Sequence, residues 1–208
     1  MRVLDLFSGL GGFSEAFVRA GDHVERVENN PLLSEVPHTT MMDVLAFRDD
    51  LENLLSNGHR IPKRLKTDVI LASPPCYDFS LAFSAPQAIA SRSGEFDDYE
   101  PSMELVEATL DIIRLVKPRY WVIENVMGSI RHFKKIGLEP NQIHGACVFY
   151  GKFPKFSTPD MPTKAEKDTH KGDPLRSNRR ALIPIELSTA LRRAIISQKT
   201  LLDDYNIV

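Results

Sequence analysis

The sequence has few cysteines, no long apolar run and almost no net charge, and each shortage excludes a class of protein. Its two cysteines, Cys76 and Cys147, form no CxxC pair, and with six scattered histidines they give no metal-ligand spacing. No apolar run approaches the roughly 18 residues of a membrane span, and the acid Asp5 comes too early for a signal peptide. We therefore expect no metal, no membrane partner, and a cytoplasmic protein with reduced thiols.

A chain of 208 residues is long enough for one domain that buries its core without disulfides. Its 26 basic and 28 acidic residues leave a net charge of -2, which by itself weighs against a nucleic-acid partner. Residues 152–193, however, hold ten basic and five acidic side chains, so this basic segment carries +5 and the rest of the chain -7. Such a segment is typical of contact with phosphates, and the alternative is a solvated surface strip.

Short apolar runs alternate with helix-like stretches through the first two-thirds of the chain, which predicts βαβ units and a parallel sheet. Strands are predicted at residues 3–7, 23–28, 68–72 and 120–123, and helices at 13–20, 104–116 and 184–196. Residues 77–99 form a long connection of the kind that is usually a functional lid or disordered. Residues 152–180 are polar and show little periodicity.

A glycine-rich turn joins the first predicted strand to the first predicted helix. Glycines there let the backbone approach a ligand closely and leave amide groups free, unless they only permit tight packing. Glu28 closes the second predicted strand, where a carboxylate can accept hydrogen bonds from ribose hydroxyls, unless it is a solvated charge. Asp43 is a similar but weaker candidate. The residues of the turn are Phe7, Ser8, Gly9, Leu10, Gly11 and Gly12.

The segment SPPC at 73–76 directly follows the strand predicted at 68–72. Its prolines fix the backbone just past a strand end, the edge at which open parallel sheets bind ligands. We therefore interpret Cys76 as a nucleophile rather than as a buried small hydrophobe. Glu124 ends the next strand at the same edge, where a carboxyl group partly desolvated by apolar neighbours can carry a proton. Its alternative is a surface or helix-capping acid.

Together these motifs resemble those of the DNA (cytosine-5) methyltransferase family. DLFSGLGGF at 5–13 is similar to the family's S-adenosylmethionine loop, SPPCYDFS at 73–80 to its Pro-Cys nucleophile motif, and ENV at 124–126 to its catalytic glutamate motif. RRALIPIELSTAL at 179–191 is a weaker match to the segment that closes many members. The resemblance implies an α/β, Rossmann-like methyltransferase fold with a mostly parallel central sheet and a much reduced target-recognition region.

The resemblance also implies a reaction. The Cys76 thiolate would add to C6 of a cytosine flipped out of duplex DNA, protonated Glu124 would hydrogen-bond N3, and C5 would take the methyl group of S-adenosylmethionine. The glycine-rich turn would line the cofactor, with Glu28 on its ribose, Asp43 near its adenine and Pro74 near its methyl end. The loop at 77–99 would close over the base. The substrate-facing residues would be Pro75, Phe79, Ser80, Asn125, Val126, Lys155, Arg179 and Arg180.

The chain departs from the family pattern at several places. Tyr77 stands where members usually have Gln after the nucleophile, and no Gln-x-Arg-x-Arg segment follows the glutamate strand. Lys155 is the candidate for the missing pocket cation, with Arg179 and Arg180 as competitors and an exposed surface lysine as the alternative. About fifty residues separate Val126 from Arg179, so we expect little sequence reading, or dependence on a separate recognition partner.

We therefore predict a single methyltransferase domain over residues 1–208. It comprises a cofactor-binding and catalytic core at 1–130, a reduced, basic, substrate-facing region at 131–178 and a C-terminal helix at 179–208 that packs on the core. In a prokaryotic or viral host the protein would be cytoplasmic or nucleoid-associated. Two other functions stay open: cytosine-5 methylation of RNA or a free nucleotide, and a catalytically weak DNA-binding accessory subunit, against which the intact Cys76 and Glu124 argue.

Overall fold

The computed structural model describes residues 1–82, 84–157 and 172–205, and of Arg64 and residues 199–205 it describes the backbone alone. The strands in these ranges are β1 (Arg2–Leu6), β2 (His23–Glu28), β3 (Thr39–Met41), β4 (Val69–Ala72), β5 (Tyr120–Val126), β6 (Pro140–His144) and β7 (Cys147–Lys152). The helices are α1 (Glu15–Arg19), α2 (Val44–Ser56), α3 (Pro86–Ser93), α4 (Glu104–Val116), α5 (Ile130–Lys135), α6 (Arg176–Ala181) and α7 (Ile185–Tyr205).

The strands of the described residues form one sheet in the order β3-β2-β1-β4-β5-β7-β6. The first five strands of this order, β3 to β5, are parallel to one another. Strand β7 is antiparallel to both β5 and β6. This arrangement confirms the predicted Rossmann-like fold with a mostly parallel sheet. The strand order reverses beside β1. From β1 the chain adds β2 and β3 on one side, and it then crosses to the other side of β1 to form β4. The carboxyl ends of β1 and β4 therefore border the crevice where open α/β sheets bind ligands.

Apolar side chains cover both faces of the sheet, because successive residues of a strand point to opposite sides. Leu4 and Ile70 belong to a core formed with α2, α4 and α5, while Val3 and Leu71 belong to a second core formed with α1 and α7. Their side chains are almost completely buried. Two hydrophobic cores of this kind hold the sheet rigid and fix the positions of its strand ends.

The C-terminal helix α7 packs on α1. Leu187, Leu191 and Ile195 recur every four residues and are buried in the second core. The Ser188 hydroxyl donates to the carbonyl oxygen of Phe13 at 2.6 Å and accepts from a backbone N–H of α1. Neither α7 nor any other helix in the described ranges is both long and apolar enough to cross a membrane.

Several predicted boundaries shift in the structure. β2 and α4 have the predicted bounds, but β1 ends at Leu6 because Phe7 adopts a left-handed backbone conformation with φ 55°. α1 begins at Glu15, after the glycine-rich turn has run on past its last glycine. β5 continues to Val126 instead of ending at residue 123, because its pairing with β7 extends that far. The residues of the ENV motif are therefore part of the strand.

The sequence patterns missed four elements between residues 77 and 152. Residues 77–99 contain the helix α3, and residues 130–152 contain α5 and the two antiparallel strands β6 and β7. The sheet thus runs past residue 130, and the division of the domain at that residue stays a prediction. β6 was hard to see because its side chains are half-buried or exposed rather than alternating strictly.

Candidate active site

The turn after β1 carries the first group of predicted site residues. Phe7 is half-buried and left-handed, and Gly9 also has a positive φ of 53°. The Gly9 N–H donates to Glu28 Oε2 at 2.8 Å, and the Ser8 N–H donates to the carbonyl oxygen of Val27 at 3.2 Å. These bonds fasten the turn to the end of β2 and leave Gly9 facing the crevice. The nearest atom that a side chain at Gly9 would meet lies 3.9 Å away, on Asn178.

Glu28 is buried, so the alternative of a solvated strand-end charge is wrong. Its carboxylate accepts hydrogen bonds from the backbone N–H groups of Gly9, Asn29 and Asn30. Asp43 caps α2 by accepting from the Leu45 N–H, and its second oxygen accepts from the Asn29 side chain at 2.8 Å. Both acids therefore lie beside the glycine-rich turn, with their orientation fixed by backbone groups.

Gly11 and Gly12 are required by packing inside the protein. A Cβ at Gly11 would lie 2.3 Å from Cζ of Arg26, and a Cβ at Gly12 would lie 2.5 Å from the carbonyl oxygen of Ile183. Gly11 and Gly12 therefore permit tight packing, which was the alternative to ligand contact, whereas Gly9 has open space on the crevice side. Leu10 lines a separate groove of about 470 Å³ on the outer side of the turn.

Arg26 is a buried cation that the sequence patterns did not single out. It lies in β2 and is only 2% exposed. Its guanidinium donates to the Ser14 hydroxyl at 2.9 Å and to the Gly11 carbonyl oxygen at 2.9 Å, and it pairs with Glu15 at 3.2 Å. The Ser14 hydroxyl in turn donates to Asp5 Oδ2 at 2.6 Å. These polar contacts connect the glycine-rich turn to Asp5 in the carboxyl half of β1.

Three polar atoms near the crevice have no hydrogen-bond partner among the described residues. They are Asp5 Oδ1, Ser8 Oγ and Ser73 Oγ, at or just beyond the carboxyl halves of β1 and β4. Buried polar atoms normally have partners, so these atoms fit a site that takes a polar ligand. Burial raises the pKa of Asp5 to about 6, with the hydrogen bond from Ser14 and the charge of Arg26 opposing that rise.

The raised pKa of Asp5 predicts a pH-dependent contribution to stability. Because the folded state resists ionisation of Asp5, its contribution is fully present below the unfolded pKa of 3.8 and is lost as the pH rises through about 6. The replacement Asp5→Asn removes this titration and keeps an oxygen to accept from Ser14. We expect the free energy of unfolding of the variant, relative to the native chain, to rise by about 2 kcal/mol between pH 4 and pH 7.5. Urea unfolding of both proteins across this range measures it, and parallel curves would contradict the assignment.

Cys76 and Glu124 are brought to neighbouring strand ends. β4 pairs with β5, with Ala72 opposite Ile123, so the segment leading to the thiol emerges beside the Glu124 backbone. Burial raises the pKa of the Cys76 thiol, and the negative charge of Glu124 raises it further. Both are half-buried. A thiol and a carboxyl group so placed have the chemistry to serve as a nucleophile and a proton carrier at the crevice.

Asn125 braces the nucleophile segment against β5. Its buried amide donates to the carbonyl oxygen of Pro74 at 3.0 Å, and its oxygen accepts from the Val126 N–H. Pro74 is buried under this contact, while Pro75 is exposed. The Asn125 side chain thus fixes the backbone immediately before Cys76, a positioning role more specific than the substrate-facing one predicted for it.

The predicted loop residues divide into buried and accessible ones. Phe79 is 2% exposed and packs edge-on against Phe133 at 5.2 Å, so it belongs to the core and does not face a substrate. Ser80 is half-buried, and its hydroxyl accepts from the Ala82 N–H. Tyr77 is 60% exposed, and its hydroxyl donates to the Ser84 carbonyl oxygen. Tyr77 therefore replaces the expected Gln with an accessible aromatic ring next to the thiol.

Lys155 lies at the wrong edge of the sheet to support the pocket. Because β7 is antiparallel to β5, Lys152 pairs with Trp121 at the amino end of β5, and the chain leaves the sheet there. A strand of about 20 Å separates this end from the carboxyl edge. Lys155 is exposed and lines a groove of about 490 Å³ with Arg193 of α7. The exposed-lysine alternative is the one the structure shows.

Arg179 and Arg180 lie in α6, on the cofactor side of the crevice. Both are exposed, and Arg179 pairs with Asp173 at 2.8 Å. The neighbouring Asn178 accepts a hydrogen bond from the Asn30 side chain, which places α6 beside the glycine-rich turn. Neither arginine is brought to Cys76. The basic segment also includes residues outside the described ranges, among them Lys164, Lys167 and Lys171.

The hairpin between β6 and β7 turns beside the end of β5, since Cys147 pairs with Val126. Residues 144–147 of this hairpin are His, Gly, Ala and Cys, without Arg or Lys. The His144 ring stacks on Phe156, with ring centroids 4.9 Å apart, and its Nε2 donates to the Phe156 carbonyl oxygen. The hairpin therefore provides no replacement for the arginines that the sequence lacks.

Comparison with known proteins places the chain in a family. The model of the C-5 cytosine-specific DNA methylase family matches residues 1–143. The type II methyltransferase M1.HphI of Haemophilus parahaemolyticus is 32% identical over 139 residues, which cover 64% of this chain and 34% of the relative. The type II methyltransferase M.DdeI of Desulfomicrobium norvegicum is 29% identical over 131 residues, covering 62% of this chain and 29% of the relative.

The matched region thus spans about a third of the length of these curated relatives. Among solved structures, the SAM-dependent methyltransferase from Agrobacterium tumefaciens is similar with a TM-score of 0.44 at 16% sequence identity. That similarity covers 74% of this chain and 56% of the other.

Proposed function

The chain belongs to the C-5 cytosine-specific DNA methylase family, and from this membership we propose that it transfers a methyl group from S-adenosylmethionine to C5 of cytosine in DNA through a covalent adduct on Cys76. The observation that carries the proposal is the pairing of Cys76 with Glu124 at the carboxyl edge of the sheet, with Asn125 bracing the segment before the thiol. Nucleophile and proton carrier adjoin the crevice that would hold the cofactor.

The residues around the glycine-rich turn fit S-adenosylmethionine. Its ribose hydroxyls would meet Glu28, which is held by three backbone N–H groups, and its adenine would lie toward Asp43. Gly9 offers the open approach, and the unpartnered hydroxyls of Ser8 and Ser73 offer hydrogen bonds. When bound, the cofactor supplies an electrophilic methyl group. Phe7 and Pro74 would complete the apolar lining, with Pro74 nearest the methyl end, whereas Leu10 lines the separate groove on the outer side of the turn.

The protein residues would act in a fixed order. The Cys76 thiolate forms a bond to C6 of cytosine while Glu124, in its protonated form, hydrogen-bonds N3 and stabilises the charge that develops on the ring. Cytosine C5 would then take the methyl group as its bond to the cofactor sulfur breaks, which leaves that sulfur as a neutral thioether. Water or another base would remove the C5 proton, and elimination would release the Cys76 thiolate. Since the charge of Glu124 raises the thiol pKa, protonating Glu124 also favours the thiolate that attacks.

The target base must leave the duplex to reach a half-buried thiol, at a cost of a few kcal/mol. Accessible residues around Cys76 include Pro75, Tyr77 and the half-buried Ser80 and Val126, and these would line the entry of the flipped cytosine. Of the residues between Val126 and Arg179 that the structure describes, those of α5, β6 and β7 belong to the sheet and to the helix packed on it. We therefore propose that selection of a DNA sequence depends on a separate recognition partner.

Labelled methyl transfer tests the proposed substrate. The chain is incubated with methyl-labelled S-adenosylmethionine and, in parallel, with duplex DNA, single-stranded DNA and transfer RNA. We expect label at C5 of cytosine in DNA, identified after digestion to nucleosides. Label in RNA alone would replace DNA as the substrate, and label in no polymer, with the cofactor bound, would favour a free nucleotide or an accessory role.

A further inference from the structure

A buried pair of polar side chains joins the nucleophile loop to the region after the glutamate strand. Gln87 in α3 and His132 in α5 are each only 1% exposed. The His132 Nε2–H donates to Gln87 Oε1 at 2.7 Å, and Gln87 Nε2 donates to the carbonyl oxygen of Gly128 at 3.3 Å. The Gln87 amide therefore bridges two successive parts of the chain that follow Glu124.

The loop lies directly on the turn that contains Gly128. A Cβ at Gly128 would stand 2.0 Å from the carbonyl oxygen of Phe79 and 2.6 Å from Gln87 Nε2, so no side chain fits there. At the other end of the loop, Asn125 holds the backbone of Pro74. The segment that bears Cys76 is thus held on both sides of the thiol. Pro74 is held by Asn125 of β5, and Phe79 packs on the turn that follows β5.

Further contacts from α5 hold the rest of the loop. Tyr99 donates from its hydroxyl to the Asp78 carbonyl oxygen at 3.0 Å, and its ring meets the His132 ring edge-on. Arg131 donates to the Phe96 carbonyl oxygen at 3.0 Å, with its guanidinium 4.1 Å from the Phe96 ring centroid. Arg131 and His132, consecutive residues of α5, therefore contact the loop at separate points. Of their hydrogen bonds to the loop, the one between His132 and Gln87 is buried.

We propose that Gln87 and His132 are positioning residues that hold the Cys76 loop against β5, so that the thiol meets C6 of the target base beside Glu124. The proposal rests on the proposed nucleophilic role of Cys76. Neither side chain touches the reacting atoms, and both act through the loop backbone. Misplacing a reacting group by about 1 Å can cost on the order of 100-fold in rate, so a polar tie of this kind has catalytic consequences.

The buried surroundings of the hydrogen bond favour a neutral His132, although the Nε2–H donor is present in both protonation states. Its Nε2 carries the proton given to Gln87, and its Nδ1 is buried without a partner among the described residues. Protonation would add an N–H that has no acceptor, and burial lowers the His132 pKa accordingly. Arg131 and Lys135 on the same helix also lower it, while Glu100 on the facing segment raises it. The buried Gln87–His132 contact is therefore stable at neutral pH and becomes less stable as the pH falls below the ordinary histidine pKa.

The first test compares Gln87→Met with the native chain. Methionine keeps the volume but makes neither hydrogen bond. We expect covalent adduct formation on DNA containing 5-fluorocytosine to slow by about 10- to 100-fold at saturating cofactor, with S-adenosylmethionine affinity unchanged within about twofold. We also expect iodoacetamide to label Cys76 several-fold faster relative to Cys147, quantified on the two peptides by mass spectrometry. Gln198→Met, at an exposed position of α7, is the matched control and should behave as the native chain.

The pH dependence separates positioning from a general loss of structure. Because protonation of Glu124 by itself makes Cys76 more reactive, the ratio is followed in a Glu124→Gln background, where the two alkylation rates fall in parallel well below both thiol pKa values unless the loop moves. In this background we expect the Cys76-to-Cys147 ratio to rise as the pH falls below the ordinary histidine pKa, because burial disfavours protonated His132 while the loop is in place. With Gln87→Glu added, the rise should begin at lower pH or disappear, because a carboxylate beside the imidazole stabilises its protonated form in the buried position.

The proposal is overturned if Gln87→Met leaves both the alkylation ratio and the adduct rate at native values, or if Gln87→Glu does not move the pH at which the ratio rises. If Gln87→Met loses its fold, shown by loss of cofactor binding, the pH shift in Gln87→Glu decides. If no polymer accepts a methyl group from the native chain, the proposed function fails, and the alkylation ratio still decides whether the pair holds the loop.

Discussion

Replacing Cys76 with serine is expected to reduce methyl transfer by on the order of 10⁴-fold or more, because a serine hydroxyl is a far weaker nucleophile than a thiolate at neutral pH. The thiol is half-buried, and burial together with the Glu124 charge raises its pKa, so the site must generate the thiolate as the base binds. Deprotonating a serine hydroxyl in the same place would have a much higher barrier than forming the thiolate. Single-turnover transfer of labelled methyl to DNA measures the loss.

The matched control is Cys147→Ser, which changes the other cysteine. Like Cys76, Cys147 is half-buried and forms no disulfide. We expect native activity from Cys147→Ser, and a trapped adduct with 5-fluorocytosine DNA in that variant but not in Cys76→Ser. Cofactor binding should be retained in both, since the glycine-rich turn is built from β1 and β2. A trapped adduct of undiminished yield in Cys76→Ser would remove Cys76 from the mechanism.

Glu124→Gln distinguishes the two members of the pair. The amide removes the charge that raises the thiol pKa, so Cys76 should alkylate faster at neutral pH. It also removes the proton carrier at N3, so methyl transfer should still fall. A variant with a more reactive thiol and slower transfer would separate formation of the nucleophile from stabilisation of the ring charge.

The sequence predicted the positions of Cys76 and Glu124 at one edge of the sheet well, because strand ends and short motifs coincide there. Cys76 and Glu124 each follow or end an apolar run, and parallel strands bring such ends together regardless of the loops between them. The same reasoning located Glu28. It could not show that the Glu28 carboxylate is bound by three backbone N–H groups, because those contacts depend on the path of the turn and not on residue type.

What the sequence did not reveal are contacts between residues far apart in the chain. Gln87 and His132 are separated by 45 residues, and neither belongs to a recognisable motif. Lys155 was misplaced because its position depends on β7 running antiparallel to β5, which apolar patterning does not specify. A buried polar contact or a strand direction is a property of tertiary packing, so single-chain periodicity carries little information about it.

The two glycines Gly11 and Gly12 illustrate the same limit. Their place in a glycine-rich turn predicts cofactor contact, but the atoms that exclude a side chain at Gly11 belong to Arg26, and those at Gly12 to Ile183 near the other end of the chain. The turn motif is therefore required for two separate reasons. Gly9 serves the open side of the crevice, and Gly11 and Gly12 serve the packing behind it.

Gly11→Ala is accordingly expected to destabilise the fold by about 5 kcal/mol. The new Cβ would lie 2.3 Å from the Arg26 guanidinium, and the backbone there has φ 80°, which side chains disfavour. Displacing Arg26 breaks its bonds to Ser14 and the Gly11 carbonyl oxygen and leaves a buried charge without full compensation, a loss of about 3–5 kcal/mol. The left-handed conformation adds about 1 kcal/mol. Urea unfolding measures the change, and the melting temperature should fall by roughly 10 °C or more.

Gly58→Ala separates the packing effect from the backbone effect. Gly58 has nearly the same φ, 77°, but is exposed, and a Cβ there meets nothing within 4 Å. Its replacement should therefore cost only the conformational penalty, about 1 kcal/mol. If Gly11→Ala cost no more than Gly58→Ala, the guanidinium would have found another position without loss, and Arg26 would not be what requires a glycine at this point of the turn. A large difference between the two variants would instead show that Gly11 is required by the buried Arg26–Ser14–Asp5 contacts, and the shape of the crevice would then depend on a cation that lies behind the turn.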